Sequence, residues 1–275
     1  MINRIINSTL FLITAYFIVQ ITRVFSQFQI INLLGMQRIR MSFFYNNYAT
    51  PDVQWWTRLK VFMINGIGPV SSLLILFIST ILFIKLSKRK FKFNVFLNWM
   101  IIVSAGFIIA DFISPPFFKS QSNLYIIFRW LYLEEGGGGM YFISLIFLPV
   151  IPFVGNLINK PFLKIANTTK WLKKKELRLE FFLLTAIIPF LLLSTVLFGL
   201  FYSYINYGIK HAIPNEGMRL LTIFGILFFG GIFIFNKDYV SIQKTNDMDK
   251  ITFSLNLLLI TVMVAIFFIL WLNLF

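Results

Sequence analysis

The sequence predicts an all-α fold, a polytopic bundle of transmembrane helices, and three observations carry that expectation. Of 275 residues, 58% are hydrophobic and only 13% charged, with a mean hydropathy of +0.81. A soluble chain of this composition would leave part of its 35 Phe on the surface, where large apolar patches drive aggregation. The apolar residues come in continuous runs of about 20, the length a helix needs to cross a ~30 Å hydrocarbon core. Those runs lack the polar–apolar alternation, in strands of about ten residues, that a membrane β-barrel requires.

Seven windows meet the length criterion: about 5–22, 61–84, 94–113, 140–158, 181–205, 218–235 and 251–274. The first carries Asn7, Ser8, Thr9, Thr14 and Gln20, and the sixth is short, so the expectation is seven spans, or six. After Arg4 the first run contains no small-x-small cleavage site, so it reads as a retained span. Irregular backbone cannot face lipid, which makes each of these runs a helix. In the second, Asn65, Gly66, Gly68 and Pro69 stand together before Ser71 and Ser72. Gly and Pro there loosen the helix and let a neighbour approach, and Asn65 can satisfy freed backbone groups, so the cluster reads as helix packing or a substrate-contacting kink. Gly225, Gly230 and Gly231 predict a tight helix–helix face in the sixth span.

Between spans, the stretch 23–60 ends in Trp55, Trp56, Arg58 and Lys60, the composition of a segment lying in the interface, which reads as an anchor or as a substrate gate. Residues 124–133 are apolar around Arg129 but too short to span, which predicts a re-entrant or interfacial piece. No internal repeat and no soluble domain stand out, so residues 1–275 form a single integral membrane domain.

The 25 Lys and Arg outnumber the 10 Asp and Glu, for a net charge of +15. Because these cations sit between apolar spans, anionic lipid headgroups are the expected partner rather than nucleic acid. The run 170–178, with Lys170, Lys173, Lys174, Lys175 and Arg178, predicts either surface anchoring or the docking of an acidic partner. In a seven-span topology one side collects sixteen of the cations and the other nine. Basic loops stay in the cytoplasm, which predicts an inner-membrane protein with its amino terminus inside and its carboxyl terminus outside.

Ionisable groups within a membrane are costly, so each is a candidate for function. Asp111, near the end of the third span and followed by Ser114, Pro115 and Pro116, reads as a cation or proton site, or as an Asp bonded to a neighbouring Arg or to backbone amides. Glu134 and Glu135 precede four glycines, Gly136 to Gly139. Consecutive side chains on a helix diverge by roughly 100°, so helix-start acids stabilised by the macrodipole compete with a catalytic pair. His211, the single histidine, has Glu216 as its nearest acid and cannot build a two- or three-His zinc site. The chain has no Cys, which removes disulfides, thiolate nucleophiles and Cys-ligated metals.

Over the first 115 residues the order of elements, a first span, an amphipathic loop and a span opening with Gly68-Pro69 and Ser71-Ser72, resembles bacterial site-2-protease-like membrane proteins. That family carries His-Glu-x-x-His near the end of its first span, where two His hold zinc and the Glu acts as base. Here the stretch reads Gln20-Ile21-Thr22-Arg23-Val24, so the resemblance implies a non-proteolytic relative that binds transmembrane clients. A prenyl-protein-protease pattern, suggested by Glu134-Glu135 and His211 to Asn215, wants an Arg at Gly139 and a second His. Ser104-Ala105-Gly106 does not supply a rhomboid serine motif, and phosphate-loop and dinucleotide fingerprints are absent. The expectation is a non-enzymatic protein without catalytic, cofactor or metal residues: a subunit or accessory factor of a larger membrane or envelope complex, contacting other membrane proteins. The alternative is a small transporter or channel using Asn65, Gly68, Pro69 and Asp111.

Overall fold

The structure is a computed structural model, and it describes residues 2–36, 40–41, 46–47, 56–86, 91–117, 123–131, 138–164, 174–206 and 213–236. The described chain is almost entirely helical. Its helices are α1 (Ile2–Leu33), α2 (Arg58–Leu86), α3 (Phe91–Ile113), α4 (Asn123–Trp130), α5 (Gly138–Phe147), α6 (Val150–Lys164), α7 (Lys175–Phe182), α8 (Ile188–Asn206) and α9 (Ile213–Asn236). A π-turn, Leu183–Ile187, joins α7 to α8. Between α1 and α2 lies a two-residue antiparallel ladder, β1 (Arg40–Met41) with β2 (Asn46–Asn47). Six helical segments are long and apolar enough to cross a bilayer: α1, α2, α3, α5 continued into α6, α7 continued into α8, and α9. The protein is therefore a helical membrane protein, and the seventh expected span, 251–274, lies outside the described residues.

The first span departs most from expectation. Helix α1 runs 32 residues, about 48 Å at 1.5 Å per residue, and Arg23 sits inside it, buried rather than at the head of a loop. The polar residues that weakened the run are tolerated because they are satisfied. Thr9, Thr14 and Thr22 each donate to the carbonyl four residues back, at 2.8 Å, and the other polar side chains turn inward. The fourth span is not continuous either: a turn at Leu148 and Pro149 separates α5 from α6.

Helix α3 is the central element, with Trp99, Ile102, Val103 and Phe107 all buried against α1, α6 and α9. Close packing depends on glycine where helices touch. A Cβ on Gly106 of α3 would stand 2.5 Å from Ile223 Cγ1 of α9. One on Gly155 of α6 would meet the Ile226 carbonyl at 2.9 Å and the Gly230 amide nitrogen at 3.0 Å. Gly225, Gly230 and Gly231 of the last described helix thus form the tight face the sequence predicts, and α6 and Phe182 occupy it. Of residues 124–133, expected to be interfacial or re-entrant, 124–130 lie in α4, which packs Leu124, Tyr125, Ile127 and Phe128 beneath α2 and α3, and 132–133 lie outside the described residues. Trp56 leans on a small cluster of Ile31, Met36 and Ile64, which ties the far end of α1 to the start of α2.

Candidate functional site

Four helices deliver ionisable side chains to one place. On α1, Tyr16, Gln20 and Arg23 follow at i, i+4 and i+7, which puts them on one face. Helix α3 contributes Asp111 from its last turn, α9 contributes Glu216 and Arg219 from its first two, and α2 contributes Gly68 and Ser72. All are buried. Glu216 occupies the first turn of α9, where the helix dipole favours a carboxylate, and Pro214 beside it gives up no helical bond.

The hydrogen bonds form one connected system. The Tyr16 hydroxyl donates to Glu216 Oε2 at 2.5 Å, and Gln20 Nε2 donates to Glu216 Oε1 at 3.3 Å. Arg219 Nη1 bonds Glu216 Oε1 and donates to Gln20 Oε1 at 3.1 Å. Arg219 Nη2 lies 3.5 Å from Asp111 Oδ1, while Arg23 Nη2 holds Asp111 Oδ2 at 2.7 Å. Arg23 Nη1 then donates to Ser72 Oγ at 2.7 Å and to the Gly68 carbonyl at 3.3 Å. The guanidinium carbons of Arg23 and Arg219 stand 5.4 and 4.8 Å from the centre of the Phe107 ring, within cation–π range. Tyr16 packs edge-on to the same ring at 5.2 Å.

Two guanidinium cations and two carboxylates sum to zero, which is what makes this cluster affordable in a low-dielectric interior. A single buried ion costs several kcal/mol, and attraction offsets that cost only where partners and hydrogen bonds are complete. Gly68 lies at the edge of the cluster: a Cβ there would sit in ordinary contact, 3.5 Å from Arg23 Nη2 and 3.7 Å from Asn123 Nδ2 of α4. The guanidinium thus lies against the α2 backbone, whose carbonyl it reaches.

The residues singled out from sequence fall unevenly. Asp111 and Gly68 join the network. Pro69 lies within α2 beside it. Asn65 is buried but donates to the Val61 carbonyl of its own helix, at 3.0 Å. Of the cationic run, Lys174 and Lys175 are exposed, whereas Arg178 is buried at the base of α7 and faces the bundle rather than headgroups. Glu134, Glu135, Lys170, Lys173 and His211 lie outside the described residues. Sequence reasoning passed over Tyr16, Gln20, Arg23, Glu216 and Arg219. The available signals were the 16–20–23 polar stripe in an apolar helix and an acid–base pair three residues apart at a span's start.

A second polar contact marks the other half of the bundle. Pro189 has no N–H to offer the Thr185 carbonyl four residues earlier, and the chain forms the π-turn there. The Ser8 hydroxyl donates to that carbonyl at 2.5 Å and accepts from Trp99 Nε1 at 3.0 Å. No group of three or more His, Cys, Asp or Glu gathers among the described residues. Comparisons of the chain with protein-family models, with curated proteins and with solved structures find no match.

Proposed function

We propose that this chain is a non-catalytic membrane subunit or accessory factor, whose internal charge network fixes the mutual arrangement of α1, α2, α3 and α9 so that the bundle presents a defined outer surface to its partners. The observation that carries the reading is the engagement of Arg23, Asp111, Glu216 and Arg219 with one another. Their charges are spent on holding helices together. Much of the surface of α2, α5 and α6 is apolar and outward-facing, including Leu73, Phe77, Phe142, Leu145 and Phe153, which suits lipid or another membrane protein.

The orientation remains amino terminus inside. Arg23, Arg178 and Arg219 are buried and belong to no loop, so the outer tally of cations falls from nine to seven and the inner one from sixteen to fifteen, which strengthens the bias. Exposed Lys174 and Lys175 then face the anionic cytoplasmic leaflet.

Gentle-detergent purification from native membranes, with mass spectrometry of the eluate, tests the assignment. A membrane protein co-purifying at fixed stoichiometry supports it. A monodisperse lone chain across several detergents counts against it and moves weight to a small transporter. That second reading is favoured by one observation, a charge network inside membrane helices next to Pro69 of α2.

A further inference from the structure

The network divides into two halves, each neutral. In one, Asp111 is held by Arg23, which also grips Ser72 and the Gly68 carbonyl. In the other, Arg219 pairs with Glu216, and Tyr16 and Gln20 complete the carboxylate's partners. The halves meet where Arg219 Nη2 faces Asp111 Oδ1 at 3.5 Å, long for a charge-assisted bond. On the same edge of that guanidinium, Nε has no hydrogen-bond partner among the described residues, although the side chain is only 9% exposed.

The Nε–Nη2 edge is the one a guanidinium offers to a planar pair of oxygens. A buried donor left without an acceptor is unfavourable because it has given up water and gained nothing, so the half-filled edge is a place where an acceptor is favoured. We infer that the Nε–Nη2 edge of Arg219, at the joint between the two neutral halves, is a binding site for a singly charged oxyanion, a carboxylate or a phosphodiester. The anion takes both donors and supplants the long contact to Asp111, which stays with Arg23. Single charge follows from the electrostatics: the anion takes the place at Arg219 that Asp111 only half fills, and a second negative charge would meet no further cation to offset its desolvation. The inference stands whether the protein is a subunit or a transporter, because it concerns only the unfilled edge.

The test uses the full chain in a phosphate-free maltoside detergent, with acetate titrated against chloride at equal ionic strength. In a parallel arm, phosphatidylglycerol is added as mixed micelles, with phosphatidylcholine as control. Thermal unfolding and isothermal titration report binding. A saturable response to acetate identifies a free carboxylate as the source, and one to phosphatidylglycerol alone identifies a lipid headgroup. In Arg219→Lys, which keeps the positive charge beside Glu216 but loses the planar edge, affinity falls at least tenfold, while Gly199→Ala, at a helical position where the added methyl meets nothing within 4 Å, binds like the parent. Asp111→Asn, which removes the competing carboxylate, binds at least tenfold more tightly. A parent chain with no saturable response in either arm, the result if a water or nothing fills the edge, overturns the inference. So does Arg219→Lys binding as tightly as the parent, or Asp111→Asn binding no more tightly. Should Arg219→Lys fail to fold, the parent and Asp111→Asn titrations decide.

Discussion

Tyr16 and Glu216 lie 200 positions apart in the chain, and the hydroxyl of the first donates to the carboxylate of the second at 2.5 Å. That bond joins the first described helix to the last one, and it makes sense only as part of the neutral set completed by Arg23, Asp111 and Arg219. An isolated Glu216 among the apolar side chains of the bundle would be driven to neutralise or to leave. Held by Tyr16, Gln20 and Arg219, it becomes a link between helices instead.

Glycine contacts give the first prediction. Gly155→Ala places a methyl against the backbone of α9, which cannot give way like a side-chain tip, and overpacking of this kind costs about 1–3 kcal/mol. Gly199→Ala meets nothing within 4 Å and should be neutral, or stabilising by up to about 1 kcal/mol. Thermal unfolding of the two variants in the same detergent ranks them.

The Ser8 contact gives the second. Ser8→Ala removes the donor to the Thr185 carbonyl and the acceptor for Trp99, with an expected loss of about 1–3 kcal/mol. Pro189→Ala restores an amide that can reach the same carbonyl. In that background the cost of Ser8→Ala should shrink by about 1 kcal/mol, the worth of one hydrogen bond. A double-mutant cycle on unfolding free energies measures the coupling, and strict additivity would show that Pro189 does not create the need for Ser8.

Orientation gives the third. The chain contains no Cys, so single cysteines can be introduced without background. Leu33→Cys and Lys175→Cys place thiols at exposed positions on α1 and α7. An impermeant maleimide applied to intact cells should label the first and reach the second only after permeabilisation. The reverse pattern would invert the topology.

The helical membrane fold was legible because it follows from composition and run length, which are local properties. Helix ends were less so: α1 runs beyond Thr22, through Gln27 and Gln29, because those residues are helical without needing lipid on every side. The network itself was half hidden. Asp111 drew attention as an ion in a span, and an Arg partner was among its expected states, but the particular partners depend on tertiary packing. Arg23 read as the first residue of a loop and Arg219 as a flanking cation, since a sequence does not disclose that α1 continues or that α9 opens more than a turn earlier, at Ile213. The Gly68 reading came closer, because a missing Cβ is a property of the residue itself.

The central claim is that Arg23, Asp111, Glu216 and Arg219 form one paired system, and the unfolding free energy of variants at Arg23 and Asp111 tests it most directly. Asp111→Leu alone leaves Arg23 as an unpaired buried cation and should cost about 3–5 kcal/mol. Adding Arg23→Met removes the orphaned charge, and the double variant should recover most of that loss. A recovery of that kind is the signature of two charges that need each other. Additive losses in the double variant, or an Asp111→Leu chain as stable as the parent, would contradict the account.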